Sequence, residues 1–299
     1  MHHLTDEELL AELKRRFSEN QRNNAELKLL NEELLSVNAK LLESEKLKSH
    51  FLSNIRNEII NPLSSILSLS KNLSDSRDLS ENISREQAAL IHEEAFSLDL
   101  QLANIFASAE IEAGELNPEF YIVDIAGLFQ SEIERFKDFA SKRQLVFQFE
   151  NGLSRKDADL GFRTNPEKVK MILSNLLVNA VSCSDGPGKI FIRAEIVDDK
   201  LFFEVEDFGK GIAPENLQVI FDRFVQLDKD IYTDNRGNGL GLSIVKTYLE
   251  FLNGNIEVKS EPGKGSTFTV IIPQPPEGME TEGFSGGGQE FLFEEGEIF

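Results

Sequence analysis

Asn175 and Asn179 stand four residues apart in a stretch of helical periodicity, so both carboxamides project from one face. Neutral amides can orient a hydrated Mg²⁺ and its phosphates without adding negative charge beside them. Further on, Asp207-Phe208-Gly209-Lys210-Gly211-Ile212 follows directly on a strand-like run. Asp207 can accept a hydrogen bond from an exocyclic amine, and Gly209 and Gly211 allow backbone to approach a flat ring. Third, Gly237-Asn238-Gly239-Leu240-Gly241 opens a helical stretch at Leu242. Glycines before a helix N-terminus present bare N–H groups to phosphate, and the helix dipole adds favourable charge. Each signal is weak alone, since glycine strings and paired asparagines also occur in ordinary turns and helices.

These residues must be positioned by the elements around them. After Pro118 the texture alternates between helix and strand. Ile122 to Ser141 reads as helix, Leu145 to Glu150 as an alternating strand, and Glu167 to Ala180 as helix. Strands over Ile190–Ile196 and Leu201–Glu206 flank the turn Asp198-Asp199. A helix over Leu240–Leu252 precedes strands Asn255–Ser260 and Thr267–Ile272. This order predicts an α+β layer, a mixed or antiparallel sheet with helices on one face.

The first part of the chain is different. From about residue 4 to 72 it reads as helix, with Pro62 its only proline and no glycine. Leu27, Leu30, Leu34, Val37 and Leu41 follow a 3-4-3-4 spacing, which suits a parallel coiled coil. The apolar pattern breaks at Ser74–Asp78, and a second helix runs from about Ser84 to Ala113, with Gly114 as its C-cap. Such a hairpin keeps one apolar face, so two copies are expected to pair as a four-helix bundle, a homodimer.

Together the three signals resemble the ATP-binding domain of sensor histidine kinases, within the superfamily that includes gyrase and the Hsp90 chaperones. The matching boxes are Asn165-Pro166-Glu167 through Asn175–Ala180, Asp207 to Ile212, Ile220–Phe224, and Gly237 to Leu242. The resemblance implies ATP and Mg²⁺ as cofactors. By it Asn179 would bind Mg²⁺, Asn175 would support the site, Asp207 would read adenine beside Gly209 and Gly211, and Gly237, Gly239 and Gly241 would close on the phosphates. Where the family often carries Lys or Arg after the second Asn, this chain has Ser182-Cys183-Ser184, which predicts weaker phosphate contacts.

The hairpin is also similar to that family, in its dimerisation and phosphoacceptor domain: Lys48 to Leu63 tracks the acceptor box and Ile111 to Leu116 the end of the second helix. At the position of the phosphorylated His stands Asn57. Phosphoryl transfer needs an available lone pair, which neutral imidazole supplies; a carboxamide nitrogen delocalises its own into the carbonyl. Asn57 is therefore expected to be inactive as an acceptor, leaving Glu58 without its imidazole partner. His50 and His92 are the alternative acceptors. Asn61, four residues on, occupies the place where phosphatase-competent relatives orient a water. Asn61 can equally satisfy the carbonyl that Pro62 leaves unpaired.

Composition narrows the classes. With 299 residues and 31 basic against 52 acidic side chains, the net charge of −21 argues against a general nucleic-acid binder. One cysteine, Cys183, excludes a disulfide framework. No apolar run spans a bilayer and the start is polar, so a cytoplasmic protein is expected. The expected domains are a coiled-coil helix (1–45), the hairpin (46–116), the ATP-binding domain (117–273) and an acidic disordered tail (274–299). The resulting expectation is a two-component signalling protein that regulates a partner kinase or a response-regulator receiver domain. The alternatives are an active kinase acting in trans, a receiver phosphatase, or a non-catalytic scaffold.

Overall fold

A computed structural model describes residues 6–75, 81–153, 161–184, 186–226, 239–275 and 281–283. The chain divides into two compact units, Met1–Asn54 and Ile55–Phe299. The first helix, α1 (Asp6–Asp75), belongs partly to each and continues through Pro62. In the first unit Leu27, Leu30, Leu34 and Val37 are all exposed.

In the second unit, α2 (Glu81–Ala113) follows α1. Ser64, Ser65, Ser68 and Leu69 of α1 line a cavity with Leu90 and Glu94 of α2, so the two helices face one another there. Gly114 ends α2 as expected, with φ +69°. Its N–H donates to the Ile111 carbonyl (3.2 Å) and the Glu115 N–H to the Glu110 carbonyl (3.1 Å), the double bond pattern of a Schellman cap.

A short strand, β1 (Phe120–Val123), comes next, and α3 (Ile125–Ser141) begins only after it. The expected helix from Ile122 is corrected here. Asp124 accepts the Gly127 N–H (3.1 Å) as an N-cap, so the chain upstream is extended, and the aromatic and β-branched run Tyr121-Ile122-Val123 suits a strand. After β2 (Leu145–Asn151) and the short β3 (Phe162–Thr164), α4 (Pro166–Cys183) opens with Pro166 in its first turn. Its N-cap Asn165 accepts the Lys168 N–H at 3.0 Å.

Strands β4 (Gly188–Val197) and β5 (Lys200–Asp207) form a hairpin. Asp198 and Asp199, with φ +50° and +56°, make its two-residue turn. Helix α5 (Gly241–Phe251) and strands β6 (Asn255–Glu261) and β7 (Gly265–Pro273) follow. The main sheet has the order β2-β4-β5-β7-β6, with β2 and β4 parallel and the remaining pairs antiparallel. β1 is the middle strand of a second small sheet, between β3 and β8 (Thr281–Gly283).

That last strand corrects the expected tail at three residues. Backbone pairing with β1 needs no apolar side chains, so composition gave no signal for it. Residues 284–299 lie outside the described residues. Among the described residues no helix is long and apolar enough to cross a membrane.

The core lies between the main sheet and α3, α4 and α5. Alternate residues of β4 (Ile190, Ile192, Ala194), β5 (Leu201, Phe203, Val205) and β7 (Phe268, Val270, Ile272) point into it, all buried. Helix α4 is buried on most of its circumference, through Val169, Ile172, Leu173, Leu176, Leu177, Ala180 and Val181. At roughly 1.5–3 kcal/mol for each large apolar side chain, this one helix fixes the position of everything it carries.

Candidate functional site

Period-two alternation along β5 brings Asp207 to the core face, the same face as Leu201, Phe203 and Val205. It pairs in register with Ser266 of β7 and is buried, only 2 % exposed. Its carboxylate accepts the Gly209 N–H at 2.9 Å. Burial pushes its pKa up to about 6; hydrogen bonds from the Gly209 and Ser266 backbone N–H groups oppose that, while the nearby Glu206 charge adds to it. The result is a carboxylate held at the edge of the core, ionised at neutral pH and bonded by two backbone donors. Such a carboxylate can accept a hydrogen bond from an amine-bearing ring.

The glycines after Asp207 serve the packing of the turn itself. A side chain at Gly209 would run into the Cys183 carbonyl, which accepts the neighbouring Lys210 N–H at 3.0 Å. Gly211 has φ +65°, and a Cβ there would strike the Glu261 carbonyl. At both positions the direction a Cβ would take is filled by the chain's own backbone.

Asn175 is buried on α4. Its amide donates to the Met171 carbonyl at 3.0 Å, and its Oδ1 faces Gly241, where a Cβ would come within 2.6 Å of it. One turn on, half-buried Asn179 accepts a long contact of 3.6 Å from the Cys183 thiol. Gly239 lies beside Phe224, whose N–H donates to the Gly239 carbonyl at 2.8 Å. A continuous path of contacts therefore runs from Gly241 through Asn175 and the last turns of α4 to Gly209 and Asp207. Three segments far apart in sequence meet around one helix. Gly237 lies outside the described residues.

Asn179 Oδ1 is a neutral oxygen of the kind that could ligate a cation that keeps its waters and arrives with phosphates. Ser182-Cys183-Ser184, in place of the family's cation, closes the helix: Ser184 Oγ donates to the Ala180 carbonyl at 2.7 Å.

The expected hairpin residues lie on the two long helices. Asn57 and Glu58 lie on α1, as does His50, and their side chains are outside the described residues. Asn61 is exposed on α1 and His92 is exposed on α2. Sequence reasoning missed Ser266, whose N–H helps hold Asp207, and missed Glu110, Lys168 and Tyr248. Lys168 Nζ, almost fully buried, reaches Glu110 at 3.1 Å and sits 5.0 Å from the Tyr248 ring centroid. The Tyr248 hydroxyl donates to Glu110 at 3.2 Å, and its pKa is raised by burial and by the Glu110 charge.

A mixed sheet covered on one face by helices, with a buried Asp at a strand end and paired Asn on the central helix, defines a class of nucleotide-type domain. Residues 164–276 match the family described as histidine kinase-, DNA gyrase B-, and HSP90-like ATPase. The chain is 30% identical over 245 residues to the circadian input-output histidine kinase CikA of Synechococcus elongatus, covering 81% of this chain and 32% of that protein. It is 27% identical over 231 residues to the sensor protein SrrB of Staphylococcus aureus, covering 77% and 39%. Full-length ShkA, solved in complex with AMPPNP, superposes with a TM-score of 0.53 at 25% identity, over 77% of this chain and 46% of that one. The chain spans about a third of the length of the curated relatives it matches. Residues 164–276 thus form a domain of the histidine kinase-, DNA gyrase B-, and HSP90-like ATPase type, and the chain is similar to histidine kinases over most of its length.

Proposed function

We propose that this chain is an ATP- and Mg²⁺-binding signalling protein of the two-component type that does not phosphorylate its own hairpin at the usual position. It acts instead by regulating a partner histidine kinase or a receiver domain. The observation that carries this is the pairing of two features: a nucleotide constellation assembled around α4, and Asn57 where the family's acceptor stands. ShkA, of similar fold, was solved with an ATP analogue, which supports the same ligand here. Asp207 would accept the adenine amine, Asn179 would hold the cation that accompanies the phosphates, and Gly239 and Gly241 at the start of α5 would face them.

The test compares the chain with its Asn57→His variant, each given Mg²⁺ and ATP labelled on the γ-phosphate, and measures acid-labile label on the protein. The expected result is label on the variant alone. Label on the unaltered chain would overturn the reading and send the search to His92 or His50.

A further inference from the structure

The chain stays bound to the fold where it leaves β7. The Gln274 N–H donates to the Asp199 carbonyl in the β4–β5 turn at 3.0 Å, and the Pro275 carbonyl accepts from Arg163 Nη2 of β3. Beyond that root, Thr281, Glu282 and Gly283 of β8 pair in parallel with Phe120, Tyr121 and Ile122. β3 occupies the other edge of β1 in antiparallel register, so β8 is what makes β1 an interior strand. β8 has three residues, none of them a large apolar one, and ends in glycine. The tail from Gln274 carries seven Glu and no Lys or Arg, on a chain that is acidic overall, so net charge does not draw it in. Backbone hydrogen bonding to β1 is what remains, and parallel pairing is the slightly weaker kind.

β1 reaches both helices that frame the candidate site. The Glu119 carbonyl, one residue before β1, accepts from Asn165 Nδ2 at 2.8 Å, and Asn165 caps the start of α4. Phe120, buried, stacks on Phe251 at the end of α5, with ring centroids 6.4 Å apart and planes 8° from parallel. We propose that the acidic tail is a removable brace: residues 281–283 fill the outer edge of β1 and thereby steady the start of α4 and the end of α5. α4 carries Asn175 and Asn179, and α5 begins at Gly241. The brace therefore acts on the proposed nucleotide site, and in that respect it rests on the proposed function. A sheet edge without a neighbour leaves N–H and C=O groups bare, and an extended segment completes it. Rooted at Gln274 and Pro275, the tail is held at high local concentration, so three residues suffice where a free peptide of that length would not bind. The same brevity makes the brace easy to release, because a segment held by few bonds opens at little cost. Release and the firmness of the two helices are then linked, each changing the other's equilibrium.

The test reads amide hydrogen exchange in the full chain, without nucleotide, over residues 120–123 and 247–251. Three sequences are compared: the original, Thr281→Ala with Glu282→Ala, and Thr281→Pro with Glu282→Pro. Neighbouring N–H groups of a strand point to opposite sides, so the proline pair removes whichever donor faces β1, whereas the alanine pair keeps both. Exchange in both segments is expected to quicken by about threefold or more in the proline pair alone, with β4 and β5 unchanged. Unaltered exchange at 120–123 in the proline pair would overturn the docking, and quickening there that leaves 247–251 untouched would overturn the brace. Equal quickening in the alanine pair would overturn its backbone origin. If β4 and β5 lose protection as well, cross-linking of the full chain by a short bis-maleimide decides. Ile122→Cys with Gly283→Cys, partners in the register, is expected to react about threefold or more faster than Ile122→Cys with Gly288→Cys, and equal rates overturn the proposal. Because no nucleotide is present, these results are independent of ATP binding; absence of an ATP-induced thermal shift would sink the proposed function and leave the brace standing.

Discussion

Asp207 shows how one residue can be read from two directions. Its type and place before Phe208-Gly209 mark it as an acceptor for an amine, and its burial on the core face of β5 gives that acceptor a pH dependence. With its pKa pushed up to about 6, the carboxylate is ionised above that pH and protonated below it. A protonated carboxyl offers a poorer acceptor to the adenine amine. Nucleotide affinity is therefore expected to fall as pH drops from 8 to 5, with its midpoint near 6, and titration of a fluorescent ATP analogue across that range measures it. Asp207→Asn should bind about tenfold more weakly at pH 8, the scale of one charge-assisted hydrogen bond, with the step near pH 6 removed. A profile for the original chain that stays level through pH 6 would contradict the assignment. Stability moves oppositely: a raised acid pKa favours the fold at low pH, an advantage lost as pH rises through 6. The melting temperature of the original chain should therefore fall relative to Asp207→Asn as pH rises from the carboxyl's ordinary pKa of 3.8 to about 6, and hold level above that point.

Between elements, the glycines separate two roles that look alike in the sequence. At Gly211 the positive φ is one most side chains avoid, and an added Cβ would meet the backbone carbonyl of Glu261, which β6 holds in place. Gly211→Ala is expected to cost about 2 kcal/mol or more of stability, seen as a clear drop in melting temperature. At Gly241 the obstacle is only the Asn175 amide oxygen, the end of a side chain that can swing away. Gly241→Ala should melt close to the original chain and yet lose nucleotide affinity if the displaced amide belongs to the proposed site; melts and titrations on the two variants separate these outcomes. The contrast marks what was legible beforehand. Strands of seven or more residues with clean alternation, such as Ile190–Ile196, were readable, and so was the helix that spaces Asn175 and Asn179. β1 and β3, at four and three residues, are too short for a period to show, and a helix was drawn through part of the first. The candidate site was legible as residue types in order. What fills the space beside each glycine was not, because Glu261 is 50 residues from Gly211 and only the folded turn brings them together. The same holds for Glu110, whose partners Lys168 and Tyr248 are 58 and 138 positions away.

For the whole molecule, the open question is what covers the apolar side chains that the single chain leaves bare. Leu27, Leu30, Leu34 and Val37 are between 57 % and 61 % exposed at heptad spacing, and Ile60, Leu63 and Leu67 are also exposed at three- and four-residue intervals. Burying a leucine of this kind is worth roughly 1.5–3 kcal/mol, so leaving seven such side chains in water is a large unrealised stabilisation. A second copy supplies the same residues in the same order, which makes self-pairing along α1 the simplest way to cover them. Two heptads hold a coiled coil only weakly. Leu30→Glu with Leu34→Glu is accordingly expected to loosen a dimer, and adding Leu63→Glu with Leu67→Glu to leave a monomer, by sedimentation across a range of concentrations. The nucleotide half has a core of its own around α4, so ATP binding per chain should survive in the monomer. If the original chain sediments as a monomer at every concentration, a different protein must cover these faces, and a partner kinase hairpin carrying a histidine opposite Asn57 becomes the next candidate to mix with it.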